Sequence, residues 1–154
     1  MTRVYRILRK RYAKAPFDGE GAYRYGGRWS SPGVRLAYAS GHLSLAMIEY
    51  FGHLDSNDPP PDLVLATADI PNDVSRIHVA AARLPAAWRQ TPAPAELAAV
   101  GDRFARTRRA AILMVPSALA PDEFNWLLNP DHPDSRRIRI HPAEPISYDP
   151  RFFD

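Results

Sequence analysis

The stretch "YGGRWSSPGVRLAYASGHLSLAMIEYF" (Tyr25–Phe51) passes from glycine-rich turn to strand to helix within twenty-seven residues, and the fold turns on that order. Gly26 and Gly27 free the backbone to approach a neighbour closely, while Arg28 and Trp29 place a forked anion donor beside a large apolar face. A phosphate-bearing ligand is the first expectation. After the turn at Ser31-Pro32-Gly33, "VRLAY" (Val34–Tyr38) alternates like a strand. "SGHLSLAMIEYFGHL" then reads as a helix, with Ser40 placed to cap its start, Leu43, Met47 and Tyr50 at helical spacing, and Gly52 at its end.

Outward from this stretch, "VYRIL" (Val4–Leu8) alternates in the same way, "LVLATADI" (Leu63–Ile70) and "AAILMVPS" (Ala110–Ser117) read as buried strands, and "RIRI" (Arg137–Ile140) as a short one. "PAELAAVGDRFART" (Pro94–Thr107) is a second helix, with Pro94 suited to its first turn. Strands and helices do not alternate as βαβ units. The expectation is therefore an α+β domain with a mostly antiparallel or mixed sheet.

A chain of 154 residues fits one domain, residues 1–154, able to bury a core without staples. There is no cysteine, which excludes disulfides, thiolate zinc sites and a cysteine nucleophile and is compatible with a reducing cytosol. The first residues lack a signal-peptide hydrophobic run and no segment approaches a membrane span, so a cytoplasmic protein that engages no membrane is expected. The net charge is +3 and the pI about 9.4, but 18 of the 20 basic residues are arginine, scattered without a basic helix. That pattern favours an ordinary arginine-rich surface over nucleic-acid binding. Sixteen prolines fall between apolar segments and mark loops.

Glu49 lies in "LAMIEYF", a helix apolar nearly all round, and a buried carboxylate needs a reason. Either it faces the surface or pairs with an arginine, or it is held at a cleft floor where its charge stabilises a developing cation. Arg6, inside the apolar "VYRIL", joins Arg28 as a second guanidinium able to hold a pyrophosphate, although spacing does not show that the two meet. Tyr38 is a core residue or a stacking surface for a planar heterocycle. In "VPSALAPDEFNWLLNP" (Val115–Pro130), Ser117 follows a buried strand and precedes Asn125, Trp126 and Asn129. Without G-x-S-x-G it is no hydrolase nucleophile; its hydroxyl is a turn group or orients a ligand or the carboxylate. The five histidines show no metal spacing, and neither a dinucleotide-binding nor a P-loop glycine pattern is present, so no metal is expected.

Taken in order, "VYRIL", "GEGAYRYGGRW", "LAYAS", "LAMIEYF", "VPSA", "NWLLNP" and "YDPRFF" resemble the RES domain family, toxins of bacterial RES-Xre toxin-antitoxin pairs. The resemblance spans nearly the whole chain. It departs at Ser30, where asparagine commonly follows R-W, and at Ile48, where leucine usually precedes the glutamate. It implies an ADP-ribosyltransferase-like bent, split β-sheet with flanking helices around a central NAD cleft, and a toxin that consumes NAD with water or phosphate as acceptor. By the same resemblance Arg28 and Arg6 hold phosphates or ribose, Tyr38 stacks near the nicotinamide, Glu49 is the catalytic carboxylate, and Ser117 positions the ribose or Glu49. Implied partners are NAD as substrate, inorganic phosphate as a possible acceptor, a cognate Xre-like antitoxin that blocks the site, and a protein target if ADP-ribose is transferred. Nucleic acid would be met only through the antitoxin. An RNase-like toxin is the competing class, supported by the basic pI alone.

Overall fold

The computed structural model describes residues 1–54 and 60–153. Its strands are β1 (Thr2–Arg9), β2 (Ala37–Ser40), β3 (Leu63–Ile70), β4 (Arg76–His78), β5 (Ile112–Pro116), β6 (Phe124–Leu128), β7 (Arg139–Ile140) and β8 (Glu144–Pro145). The helices are α1 (Glu20–Tyr25), α2 (Leu43–Phe51) and α3 (Ala95–Thr107), with short 3-10 turns between elements. One sheet runs β4-β5-β6-β2-β1-β3-β7, with β8 also on β3. Among the described residues only β4 and β5 run parallel and the other pairs are antiparallel, as the α+β reading expects.

The sheet is split at its centre. β1 pairs with β3 along its whole length, from Thr2↔Ile70 to Arg9↔Leu63, and β2 pairs with β6 from Ala37↔Leu128 to Ser40↔Asn125. Between these two halves β1 and β2 meet at the single pair Tyr5↔Ser40. Strands that diverge this early leave backbone groups without ladder partners, and those groups need donors from elsewhere. Arg6 supplies one: its Nη1 donates to the Tyr38 carbonyl at 2.8 Å.

Strand alternation sorts the core. Val4 and Leu8 of β1 and Ala66, Ala68 and Ile70 of β3 share a cluster with Ile112, Trp126 and Leu128. Leu113, Val115 and Leu127 turn the other way, against Leu97 and Phe104 of α3, with Trp29, Leu36 and Trp88 completing that cluster. β5 is thus covered on both faces, which is why its sequence is apolar throughout. Ile7 and Leu63 meet Ala46 of α2 in a third cluster.

Several boundaries differ from the sequence reading. The second strand is Ala37–Ser40 rather than Val34–Tyr38, because the turn at Pro32-Gly33 runs on to Val34, whose N–H bonds the Ser31 carbonyl at 3.3 Å. Ser40 does not cap α2. It is the last residue of β2, and His42 takes the cap position without a side-chain bond. α2 buries Leu45 and Ala46, whereas Leu43 is exposed. Pro94 stands at the N-cap of α3, just before its first turn. β4, β6, β8 and α1 were not expected: β4 is three residues paired through its neighbour, and β8 ends in a proline tolerated on a sheet edge. No helix of the described residues is long and apolar enough to cross a membrane.

A cross-strand ion pair offers a test of the register. Arg3 and Asp69 are directly opposed, the Arg3 guanidinium donates to both Asp69 oxygens at 2.8 and 3.1 Å, and His141 Nε2 lies 2.7 Å from Oδ2. The Arg3 hydrogen bonds first, and His141 second, hold the Asp69 carboxyl well below the usual carboxylate range. A depressed pKa stabilises the fold above the unfolded carboxyl's value, about 4, and that stabilisation drains away as the pH falls toward the folded value. The melting temperature of Asp69→Asn should accordingly lie below wild type at pH 7, with the gap narrowing steadily below about pH 4. A gap constant with pH would assign the loss to shape rather than charge.

Candidate active site

Glycine freedom explains the opening stretch. Gly26 takes a positive φ of 71°, and Gly27 and Ser30 then form an antiparallel bridge with Arg28 and Trp29 at its two corners. The bridge aims the corner residues differently. Trp29 is 2 % exposed and enters the α3 cluster. Gly27 must lack a Cβ, because one there would stand 2.7 Å from the Tyr38 hydroxyl. That hydroxyl accepts the Trp29 N–H at 3.0 Å and shares a hydrogen bond with Ser30 Oγ at 2.8 Å. Burial pushes the Tyr38 phenol up to about 12, so it stays protonated and its ring is fixed by its far end.

A cleft opens where β1 and β2 diverge, bounded by Tyr5, Arg6, Tyr38, Ser40, Glu49 and Asn125, with Tyr50 and His53 at the α2 side. Of the residues singled out from sequence, Arg6, Tyr38 and Glu49 line it directly. Arg6 is half-buried, its Nη1 is committed to Tyr38, and among the described residues its buried Nε–H has no partner. Burial lowers the Arg6 pKa, yet a guanidinium at this depth remains charged. An unpaired buried donor is costly.

Glu49 is held by two hydrogen bonds to one oxygen. Its Oε1 accepts from Ser117 Oγ at 2.6 Å and from Asn125 Nδ2 at 2.8 Å. Among the described residues no arginine, lysine or histidine nitrogen forms an ion pair with it, and Oε2 has no donor. The carboxylate is therefore oriented without being neutralised.

Ser117 reaches the site through Glu49. It is fully buried, and its Oγ accepts the N–H groups of Leu119 and Ala120, both at 3.1 Å, while donating to Glu49. With both lone pairs and the proton committed, it orients the carboxylate. Asn125 was noted in the sequence but given no part. Its carbonyl accepts Ser40 Oγ at 2.7 Å, which fixes the amide so that Nδ2 must face Glu49. The signal in the sequence is the motif "NWLLNP", which begins at Asn125. Asn129 closes that strand as a turn, its Oδ1 accepting Asp131 N–H at 3.0 Å.

Arg28 is not brought to this cleft. Its Nη1 donates to the carbonyls of Trp88 and Gln90 at 3.0 and 2.8 Å, and Nη2 to Thr91 Oγ1 at 2.9 Å. The segment it clamps has no strand or helix, so those carbonyls need a side-chain donor. The two guanidiniums that sequence suggested might act together thus serve different places: Arg6 the split in the sheet, Arg28 the loop behind Trp29.

A family model described as the RES domain matches residues 3–149. Among known proteins, the chain is similar to the Prs ADP-ribosylating toxin of Sphingobium sp. (strain YBL2), with 36% identity over 142 residues, 91% of this chain and 88% of that protein. It is 35% identical over 150 residues to Toxin Res of Pseudomonas putida, covering 96% of this chain and 99% of the relative. Among solved structures, the M. tuberculosis MbcT-MbcA toxin-antitoxin complex contains a chain that superposes with a TM-score of 0.77 over 95% of this chain and 84% of that one. At 17% identity this likeness is one of fold.

Proposed function

The chain belongs to the RES domain family, and on that premise we propose that it is a toxin of a toxin-antitoxin pair that consumes NAD by breaking the bond between nicotinamide and ribose. The observation that carries the reading is Glu49: a carboxylate oriented by two neutral donors, facing a cleft, and in no ion pair among the described residues. Breaking a glycosidic C–N bond passes through an oxocarbenium-like state, positive at the anomeric carbon. A fixed negative charge beside that carbon lowers the barrier, because the charge is already in place when the cation develops. The C–N electron pair leaves with nicotinamide, which departs neutral, and an acceptor oxygen then bonds the anomeric carbon, a water acceptor giving up its proton to solvent.

The other cleft residues fit the same substrate. The Arg6 guanidinium in the cleft wall supplies positive charge for a phosphate, and the Tyr38 ring, pinned through its hydroxyl, gives a flat apolar wall for a pyridine ring. Ser117 and Asn125 hold Glu49 rather than react. Arg28 supports the cleft from behind, through the loop that packs near Trp29.

Purified protein incubated with NAD, with and without inorganic phosphate, and followed by mass spectrometry tests the proposal. Nicotinamide should appear with ADP-ribose if water is the acceptor, or with ADP-ribose 1″-phosphate if phosphate is. NAD left intact while RNA is cleaved would replace this reading with a nuclease. Transfer of ADP-ribose to a protein is the second reading, favoured by the name of the Sphingobium relative, and would show as a mass increase on a target protein. The antitoxin partner is proposed from the toxin-antitoxin complex that shares the fold.

A further inference from the structure

Glu49 owes its place to helix α2, and α2 is poorly equipped to hold itself. It has nine residues, too few for a helix stable alone, its N-cap makes no side-chain bond, and it buries only Leu45 and Ala46. Its second half is instead gripped from outside by the end of the chain. Tyr148 Oη donates to the Met47 carbonyl at 2.5 Å. The Phe51 ring lies 6.2 Å from Tyr148, 5.4 Å from Phe152 and 5.8 Å from Phe153, and Tyr148 meets Phe152 edge-on at 5.2 Å. Met47 and Phe51 flank Glu49 by two residues on either side, so the two attachments bracket it.

The gripping segment is anchored independently of α2. β8 pairs with β3 at Val64↔Pro145 and Leu65↔Glu144, and Ile146 N–H continues the ladder to the Leu63 carbonyl at 3.1 Å. Its last turn is shaped by Asp149, whose carboxylate accepts the Arg151 N–H at 2.9 Å and the Arg151 guanidinium at 2.9 and 3.1 Å. That turn points Phe152 back at Phe51. The partners of Glu49, by contrast, belong to the sheet: Asn125 is on β6 and Ser117 follows β5. A small rotation of α2 would carry Glu49 away from both.

We propose that residues Glu144–Phe153 form a strap that fixes α2 and so aims Glu49, with Tyr148 and Phe152 as positioning residues; the catalytic part of this rests on the reading of Glu49 given above. Sub-ångström placement of a charged group against the reacting carbon matters, since misplacement by 1 Å costs on the order of 10²-fold in rate.

The test uses full-length Tyr148→Phe, which loses only the hydroxyl, and Phe152→Ala, which loses a partly exposed ring, each measured by hydrogen exchange and by NAD turnover. Amides in the second half of α2 should exchange about three- to tenfold faster, with β3 and β5 unaffected. Turnover should fall about tenfold in kcat with KM unchanged. In a Glu49→Gln background Tyr148→Phe should cause no further loss, which simple destabilisation would not mimic. Unchanged α2 exchange in both variants would overturn the strap, and faster exchange with wild-type kcat would overturn the positioning role. A wild-type protein inert toward NAD would refute the functional reading instead, and the exchange arm would still decide whether the strap holds α2.

Discussion

Glu49→Gln is expected to reduce NAD turnover by about 10²- to 10³-fold while leaving the fold intact. The amide keeps the shape of the acid, and its Oε1 can still accept from Ser117 Oγ and Asn125 Nδ2, which bond Oε1 in the native protein at 2.6 and 2.8 Å. The amide nitrogen then takes the place of Oε2, which has no donor among the described residues. Only the charge is lost. An ion-paired glutamate would behave differently, since its neutralisation strands a buried cation at about 3 to 5 kcal/mol. Among the described residues Glu49 has no such cation, so the melting temperature should hold or rise. NAD consumption and thermal unfolding measured on one preparation decide the matter: wild-type turnover would remove Glu49 from the chemistry, and a marked fall in melting temperature would point to a structural ion pair.

The largest effect on stability is expected at Gly101. By intrinsic preference a glycine inside α3 is a defect that alanine should repair by about 1 kcal/mol. Tertiary structure reverses the sign. A Cβ at Gly101 would overlap the Trp29 carbonyl oxygen and stand 2.8 Å from its carbon, so α3 docks on the backbone of the glycine-rich turn at this point. Gly101→Ala must push the two apart and open the cluster holding Trp29, Leu36, Leu97 and Phe104. We expect a loss of about 3 kcal/mol, or roughly 10 °C in melting temperature. Because Trp29 N–H also bonds the Tyr38 hydroxyl, the cleft wall should loosen with it. Circular-dichroism melting is sufficient, and a variant melting above wild type would show that α3 does not dock here.

Much of the framework was legible because local rules and tertiary needs agree there. Leu63–Ile70 is bounded as a strand by its apolar residues, and Ala110–Ser117 contains β5, whose cover on both faces makes it apolar throughout. The family resemblance added the split sheet, which no periodicity reveals. Tyr25–Phe51 was read in the right order, turn then strand then helix, but the strand was placed three residues early.

Sequence alone therefore determined the class of fold, the order of its main elements and a short set of candidates, Arg6, Arg28, Tyr38, Glu49 and Ser117, each a polar or charged residue beside apolar segments or in the glycine-rich turn. Tertiary structure alone decided which of them meet. Ser40 looked like a helix cap and became the fixed end of a chain through Asn125 to Glu49; Arg28 looked like a ligand donor and became a clamp on the Trp88–Thr91 loop. Gly101, by helix propensity a weak point, is a docking point. The physical reason is common to all three: a side chain's propensity reports its own backbone, whereas its hydrogen-bond partner or steric neighbour lies on another element, 85, 60 or 72 residues away in sequence for Ser40 with Asn125, Arg28 with Trp88, and Gly101 with Trp29.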